Sequence, residues 1–498
     1  MKIPVGYLWL AKHFNLQAIP PPQQSFVVEK GRRHTVESPR QVTEYYLKSY
    51  WPGDTVFDHL EFALKHEGTY LPYLRAILLK LNPKEVTDFI RSKPTGAYAR
   101  RIWYMFEEFR KERLDLPDTK VGNYVELIDS QRYYTSRPIH SPRHRVSMNL
   151  PGTLAFSPMI HRSKRLAQWE ARRLDEEARQ IVANIPPEIL DRALRYLYAR
   201  ETKSSFEIER EPLGQTRQKR FMELLHDVPK RDFLNREALV ELQGKIVDPR
   251  FANTGYRDSI NEQNYVGTTL SPGDEQIHFI PPKPEDISEL MNEFLIASQR
   301  MLESEIHPVI VAATIAYPFV FLHPFSDGNG RLHRVLIHYV LRKRHFGPDE
   351  VIFPVSAAML QDSRRYDESL EVFSDPSLAL IDYDLDPQGR LSVSGETKDL
   401  YRYIDCTGMA EALFEFVQVT IEKELPSEIK FLRQYDQARV LMQQVVDLPN
   451  RHADLLIRLV RQNAGHLSKG KRKLSEFEAL TDDEVTSLEN AVSEAFAD

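Results

Sequence analysis

One stretch, HPFSDGNGRLHR from His323 to Arg334, sets an imidazole, a lone carboxylate, two glycines around an asparagine, and two arginines in succession. Histidine titrates near neutrality and can take a proton from a hydroxyl nucleophile, which makes His323 a candidate general base. Asp327 is the only carboxylate in the stretch. One is sufficient for magnesium, which takes one or two protein carboxylates and fills its other positions with phosphate oxygens and water. Gly328, Asn329 and Gly330 are residue types that tolerate left-handed backbone angles, so their amides can converge into a concave anion nest. A helix then starts, because RLHRVLIHYVLRKR spaces Leu332, Val335, Leu336 and Tyr339 along one face; helix N-termini attract anions. Arg331 and Arg334 fall in that first turn, where positive charge is locally unfavourable. Two arginines there make sense if a polyanion such as a nucleoside triphosphate occupies the site.

Other readings of the stretch fail on spacing. A P-loop needs Gly-Lys-Ser or Gly-Lys-Thr after a strand, and a dinucleotide fingerprint needs a third glycine where His333 stands. His307, His323, His333, His338 and His345 could make a metal cluster arithmetically, but no pair has a familiar zinc spacing.

These residues need a scaffold. The run PVIVAATIAYPFVFL, Pro308 to Leu322, precedes them. It is apolar on every side yet shorter than the roughly 18 residues of a membrane span, which predicts the central helix of a large helical domain. Pro324 disfavours helical geometry in the residue before it, so the helix should stop at His323 and leave the imidazole at a loop mouth. Phe325 reads as an anchor pinning the loop to the core. The chain has 498 residues, 42% hydrophobic and 28% charged, which predicts about three globular domains. A net charge of -6 argues against wholesale coating of nucleic acid. The single cysteine, Cys406, excludes an internal disulfide framework and a cysteine zinc site. Lys12 and His13 interrupt the apolar start, no secretion signal is read, and a cytoplasmic location is expected.

The rest of the chain reads as mainly helical. Residues 1–135 form a helical N-terminal region behind an extended AIPPPQQSF, with Asp54 expected to cap a helix carrying Phe57, Leu60 and Leu64. Residues 136–158, rich in Pro, Ser and Arg, read as a solvated connector. A helix follows from Pro187, with Ile189, Leu190, Ala193, Leu194 and Leu197 as its apolar stripe. EQIHFIPPKP suggests a strand in a hairpin, and RLSVSG at 390–395 a short strand. Residues 376–425 connect by helices to a tail, 426–498, in which Thr481 and Glu484 form a capping box. The tail's basic KGKRK run suggests a winged-helix-like module that touches DNA, or a solvated loop.

The twelve residues resemble the signature of the Fic family, HPFx(D/E)GNGR with a second arginine three positions on, and the resemblance runs from about Met159 to Tyr366. It implies an all-α core, here 159–375, with a small β-hairpin flap at about 263–282 that holds a target segment by edge pairing. It implies a protein adenylyltransferase that moves AMP from ATP to a Ser, Thr or Tyr hydroxyl of a target protein and of itself. In that scheme His323 is the base, Asp327 holds Mg2+, Gly328, Asn329 and Gly330 cradle the phosphates, and Arg331 and Arg334 bind the outer ones. Tyr366 lies where the family places an adenine-side contact, with Asp367 in place of the commoner second tyrosine. Many members carry an inhibitory helix with the pattern (S/T)xxxE(G/N), whose glutamate pairs with the second arginine and keeps the γ-phosphate out. SFEIER, Ser205 to Arg210 near the end of a helix spanning about 187–211, fits through Ser205 and Glu209. It departs at Arg210, which could pair with Glu209 and weaken the restraint, or obstruct the nucleotide.

Three alternatives stay open: removal of AMP with Glu209 orienting a water, transfer of another nucleotide or of phosphate, and a DNA-binding regulator acting through the tail. Relatives that act as kinases carry lysine at the position of Gly330, so Gly330 favours nucleotidyl transfer. The target, the oligomeric state including a homodimer, and the role of the first 150 residues are left open by the sequence.

Overall fold

The computed structural model describes residues 2–29, 32–38, 41–258, 263–271 and 274–497. The chain is mainly helical, as expected, with a few small sheets. Its central helix is Pro308–Leu322, in which every residue from Val309 to Leu322 except Val320 is buried. Pro308 opens the helix where a missing N–H costs nothing, and the His307 ring accepts the Val309 N–H at 3.2 Å. The helix packs along Asn329–Lys343. That second helix is buried from Arg331 to Leu341 despite carrying Arg331, His333, Arg334 and His338. His333 faces the Ala316 carbonyl at 2.8 Å and ties the pair together.

Compactness divides the chain into two units. One holds 1–172, 205–346 and 359–415; the other holds 173–204, 347–358 and 416–498.

In the first unit, the N-terminal region is not all helical. Lys2–Val5, Gln23–Val28, Gln41–Leu47 and His34–Ser38 pair in that order as a four-stranded sheet, with Gln23–Val28 and Gln41–Leu47 parallel and the other pairs antiparallel. The extended AIPPPQQSF expectation covers the start of one of these strands. Helices Val56–Phe62, Leu71–Lys80, Pro83–Ser92 and Ala97–Arg110 follow, and Leu74, Ile77, Ile102, Trp103 and Phe106 share one core with Tyr7 and Leu10. The helix start expected at Asp54 is capped instead by Thr55, whose hydroxyl accepts the Asp58 N–H while the Asp58 carboxylate accepts the Thr55 N–H, both at 3.2 Å.

Residues 136–158 are not a solvated connector. Ile139–Ser141 and Val146–Met148 pair in a small sheet with Val125–Glu126, and Val146, Leu150 and Leu154 join the same core. Two of the basic residues there, Arg143 and His144, are drawn inward by the buried Glu107, which accepts from Arg143 at 2.7 Å and lies 3.0 Å from His144 Nε2. A charged group taken out of water must be paired, and Glu107 supplies the partner.

In the second unit, Leu425–Val445, Asn450–Gln462 and Asp482–Ala495 enclose Leu456, Val460, Phe477, Leu488 and Val492. The Thr481 and Glu484 capping box is present. The winged-helix expectation is not met, because no strand occurs among the described residues of 426–498. Arg472, within the basic run, donates to the Phe477 and Leu480 carbonyls at 2.7 and 2.5 Å, so it closes its own loop. Among the described residues no helix is long and apolar enough to cross a membrane.

Candidate active site

The central helix ends at Leu322 and His323 takes a left-handed conformation, φ 49° and ψ 56°, which turns the chain out of the helix. His323 Nδ1 lies 3.2 Å from the Val320 carbonyl. A carbonyl only accepts, so Nδ1 carries the proton and Nε2 keeps the lone pair. Burial, then the positive charge of Arg257, lowers the His323 pKa to about 4. Arg257 is itself buried: Nε donates to the His323 carbonyl and Nη2 to the Pro282 carbonyl, both at 2.7 Å. It ties His323 to Pro282, just beyond the strand Asp274–Phe279.

Three amide side chains hold the loop backbone. Asn329 Oδ1 accepts the Phe325 N–H at 3.1 Å and its Nδ2 returns to the Phe325 carbonyl at 2.8 Å. Asn253 accepts the Ser326 N–H at 3.2 Å, and Gln243 donates to the Asp327 carbonyl at 3.2 Å. Phe325 is fully buried against Tyr256, as the anchor reading expects. Gly328 has φ 89°, where a side chain is strained, and an added Cβ would come 2.9 Å from Val247 Cγ1. Its carbonyl begins the helix Asn329–Lys343.

Asp327 is exposed. Its Oδ1 accepts from the Gly328 N–H at 2.5 Å and from Arg331 Nη2 at 2.9 Å. Among the described residues no three metal-ligating side chains come together. A lone, exposed carboxylate beside an anion-binding helix start fits a cation that draws its other ligands from phosphate and water.

Both arginines are buried, each side chain 1% exposed, and each is met by a carboxylate from the segment after Ser205. Arg334 donates to the Ser205 hydroxyl at 3.0 Å, to the Ser205 carbonyl at 2.7 Å, and to Glu209 Oε1 at 2.8 Å. The Glu209 carboxylate also lies directly over Gly330, where an added Cβ would collide with it. Arg331 is held by Glu211, at 2.6 Å from Nη2 to Oε1 and 3.0 Å from Nη1 to Oε2. Glu211 was not singled out from sequence. The signal was available as arithmetic, since two buried guanidiniums need two counter-charges and ERE supplies two.

Arg210 has φ 54° and makes no ion pair with Glu209 among the described residues. Its left-handed turn is the conformation for which glycine or asparagine is the usual choice. Tyr366, on the helix Ser363–Leu378, is buried, with its ring 6.3 Å from that of His333. Burial raises its pKa, and the Arg334 charge opposes that shift. Tyr366 therefore lies within the electrostatic reach of Arg334. The hairpin of Val266–Ser271 and Asp274–Phe279 forms where the flap was expected, and Val266–Ser271 is exposed along its whole length.

Residues 233–341 match the sequence profile of the Fic/DOC family. Over 124 residues the chain is 35% identical to a protein named Protein adenylyltransferase Fic from Culex quinquefasciatus, covering 24% of this chain and 22% of that one. The protein of the same name from Aedes aegypti is 33% identical over 124 residues, with the same shares. The one from Drosophila melanogaster is 43% identical over 79 residues, 15% of each chain. The chain thus spans between 15% and 22% of the length of these relatives. Among solved structures, a Fic family protein from Desulfovibrio desulfuricans has a TM-score of 0.38 at 16% identity, covering 68% of this chain and 86% of its own. A Fic domain containing signaling protein from Bacteroides thetaiotaomicron has 0.35 at 18%, covering 52% and 96%.

Proposed function

We propose, from the match of residues 233–341 to the Fic/DOC family profile, that this chain transfers AMP from ATP to a hydroxyl side chain of a target protein and of itself. The observation that carries the reading is the pair of buried arginines, Arg331 and Arg334, at the start of one helix, each satisfied by a carboxylate that a phosphate could replace. Phosphate oxygens suit the same guanidinium forks that carboxylates occupy.

In the reaction, His323 Nε2 accepts the proton of the target hydroxyl as its oxygen bonds to the α-phosphorus. The bond from the α-phosphorus to the bridging oxygen breaks, and pyrophosphate leaves with its electron pair. The depressed pKa keeps His323 neutral, and so able to accept a proton, throughout the neutral range. The Gly328 to Gly330 backbone and the helix start receive the phosphates, while Arg331 and Arg334 bind the outer ones. A magnesium ion on Asp327 would supply charge neutralisation across the phosphate chain. Tyr366 packs against Arg334 and supports it near the adenine side. The exposed strand Val266–Ser271 offers unpaired backbone groups to an extended target segment. Glu209, holding Arg334, keeps the protein at rest.

ATP labelled at the α or the γ phosphate tests this on the full chain with cell lysate. Protein labelled from the α position only, absent in His323→Ala and increased in Glu209→Gly, is the expected result. Label from the γ position would replace the reading with phosphotransfer, and no label even in Glu209→Gly would overturn AMP transfer from ATP.

A further inference from the structure

We infer that the second unit carries a docking strip for an acidic segment of a partner protein, centred on Arg461. Three grooves of about 600, 400 and 380 Å³ flank the helix Leu425–Val445. The first two share Phe431 and Arg461, and the first and third share Lys430 and Gln434, so they join into one concavity. A chain of grooves along one helix suits a polypeptide segment better than a compact ligand, which takes a single cleft.

Charge selects the partner. The residues lining the three grooves include Lys430, Arg433, Arg458 and Arg461 but a single carboxylate, Asp454, which is already bonded to Tyr435 and Arg439. This cationic surplus stands in a chain of net charge -6, and a positive strip is complementary to a negative partner. Between the cations the grooves are apolar, lined by Ile429, Ile457, Val460 and Val492. An acidic protein segment brings carboxylates for the cations and apolar side chains for the floor, whereas duplex DNA presents its phosphates.

Arg461 is the anchor. Its guanidinium lies 4.7 Å from the Phe431 ring and 4.3 Å from the Phe496 ring, and the two rings are 6.0 Å apart. Packing against this aromatic pair orients the planar group while the side chain stays exposed. No side-chain hydrogen bond or ion pair joins Arg461 to another described residue. Arg472, by contrast, spends its N–H groups on its own loop. A carboxylate accepts from two guanidinium N–H groups at once, so it is the group that a braced, exposed arginine holds best. Arginine and aromatic side chains together are also what carries most of the binding energy at protein interfaces.

The test is fluorescence anisotropy on the full chain, with labelled peptides that mix Glu with Leu and Phe at varied spacing, the same peptides carrying Lys for Glu, and a DNA duplex. Acidic peptides should bind and their lysine counterparts should not. Arg461→Glu should weaken binding by about tenfold or more, the scale of a charged hydrogen bond. Arg461→Gln, which keeps a long polar side chain on the rings, should also weaken it and serves if the charge reversal unfolds the tail. Lys471→Glu, the same charge change in the basic run outside the grooves, should leave the affinity nearly unchanged. No acidic peptide bound, equal binding of the lysine counterparts, or equal losses in Lys471→Glu and the Arg461 variants overturns the inference. DNA held more tightly than every peptide, and released by the Arg461 variants, overturns the protein partner and makes the strip a nucleic-acid surface.

Discussion

Two regions meet at Arg331 and Arg334, and they are built on opposite principles. The loop from His323 to Gly328 is fixed through its backbone: Asn329, Asn253, Gln243 and Arg257 bond the peptide groups of Phe325, Ser326, Asp327 and His323. The opposing Glu209 and Glu211 are held mainly by their side-chain tips, which are 34% and 27% exposed. A backbone held at successive residues cannot move one position without losing several bonds together. A carboxylate tip held by a guanidinium can be exchanged for a phosphate one group at a time. On the proposed function, the difference separates a catalytic frame from a displaceable plug.

The largest effect should come from the frame. His323→Ala should lower AMP transfer by about 10²- to 10⁴-fold, the range for losing a general base, while AMP binding, measured by calorimetry, stays unchanged. Loss of binding along with rate would mean that the imidazole also shapes the nucleotide site. On the plug side, Glu209→Gly should raise transfer and ATP affinity about tenfold or more, since a charged pair at Arg334 is removed. If His323→Ala and Glu209→Gly both merely slowed transfer, the contrast between frame and plug would be wrong.

A pH profile sharpens the comparison. The His323 pKa lies below its ordinary value, so the neutral, active base is the favoured form and is lost only as pH falls toward about 4. The groups that shift it are burial and Arg257 downward, and the Val320 carbonyl, Glu209 and Asp327 upward. Transfer should be nearly flat from neutrality to about pH 5, provided the chain stays folded. Arg257→Gln, measured in the Glu209→Gly background, should move the acid limb upward toward 6.5, while Arg257→Lys, which keeps the charge, should move it less. An acid limb unmoved by either change would restrict Arg257 to holding the hairpin foot.

The frame was legible in the sequence because its chemistry is contiguous. Twelve residues contain the imidazole, the carboxylate, the glycine-flanked asparagine and both arginines, and the apolar run before them has no polar face to present to water. The hairpin was legible for a similar reason, since glycines and prolines bracket it. The plug was half legible: Ser205 and Glu209 follow a pattern, but Glu211 depends on a turn at Arg210 that side-chain preference argues against. The N-terminal sheet was missed because its strands alternate weakly. Gln23–Val28 buries only Ser25 and Val27, and its parallel neighbour Gln41–Leu47 is distant in sequence. Arg143 and His144 looked solvated because their counter-charge, Glu107, sits on another element. The winged tail failed because a basic run says nothing of strands, and Arg472 is spent on its own loop.

The smallest effect should come from Arg210, and it tests whether the plug is tuned. A left-handed conformation costs a side-chain-bearing residue about 1 kcal/mol or more relative to glycine, and Arg210 at φ 54° bears that cost where glycine would not. Arg210→Gly removes strain only from the plugged state if the turn opens when nucleotide enters. It should therefore lower basal transfer about fivefold, the equilibrium ratio for about 1 kcal/mol, and raise the thermal midpoint without nucleotide by a few degrees at most. In the Glu209→Gly background the same change should leave transfer nearly unaltered, because the stronger restraint is already gone. A fall in transfer of the same size in both backgrounds would mean that Arg210 acts on the nucleotide or the target directly, and that the turn is part of the frame.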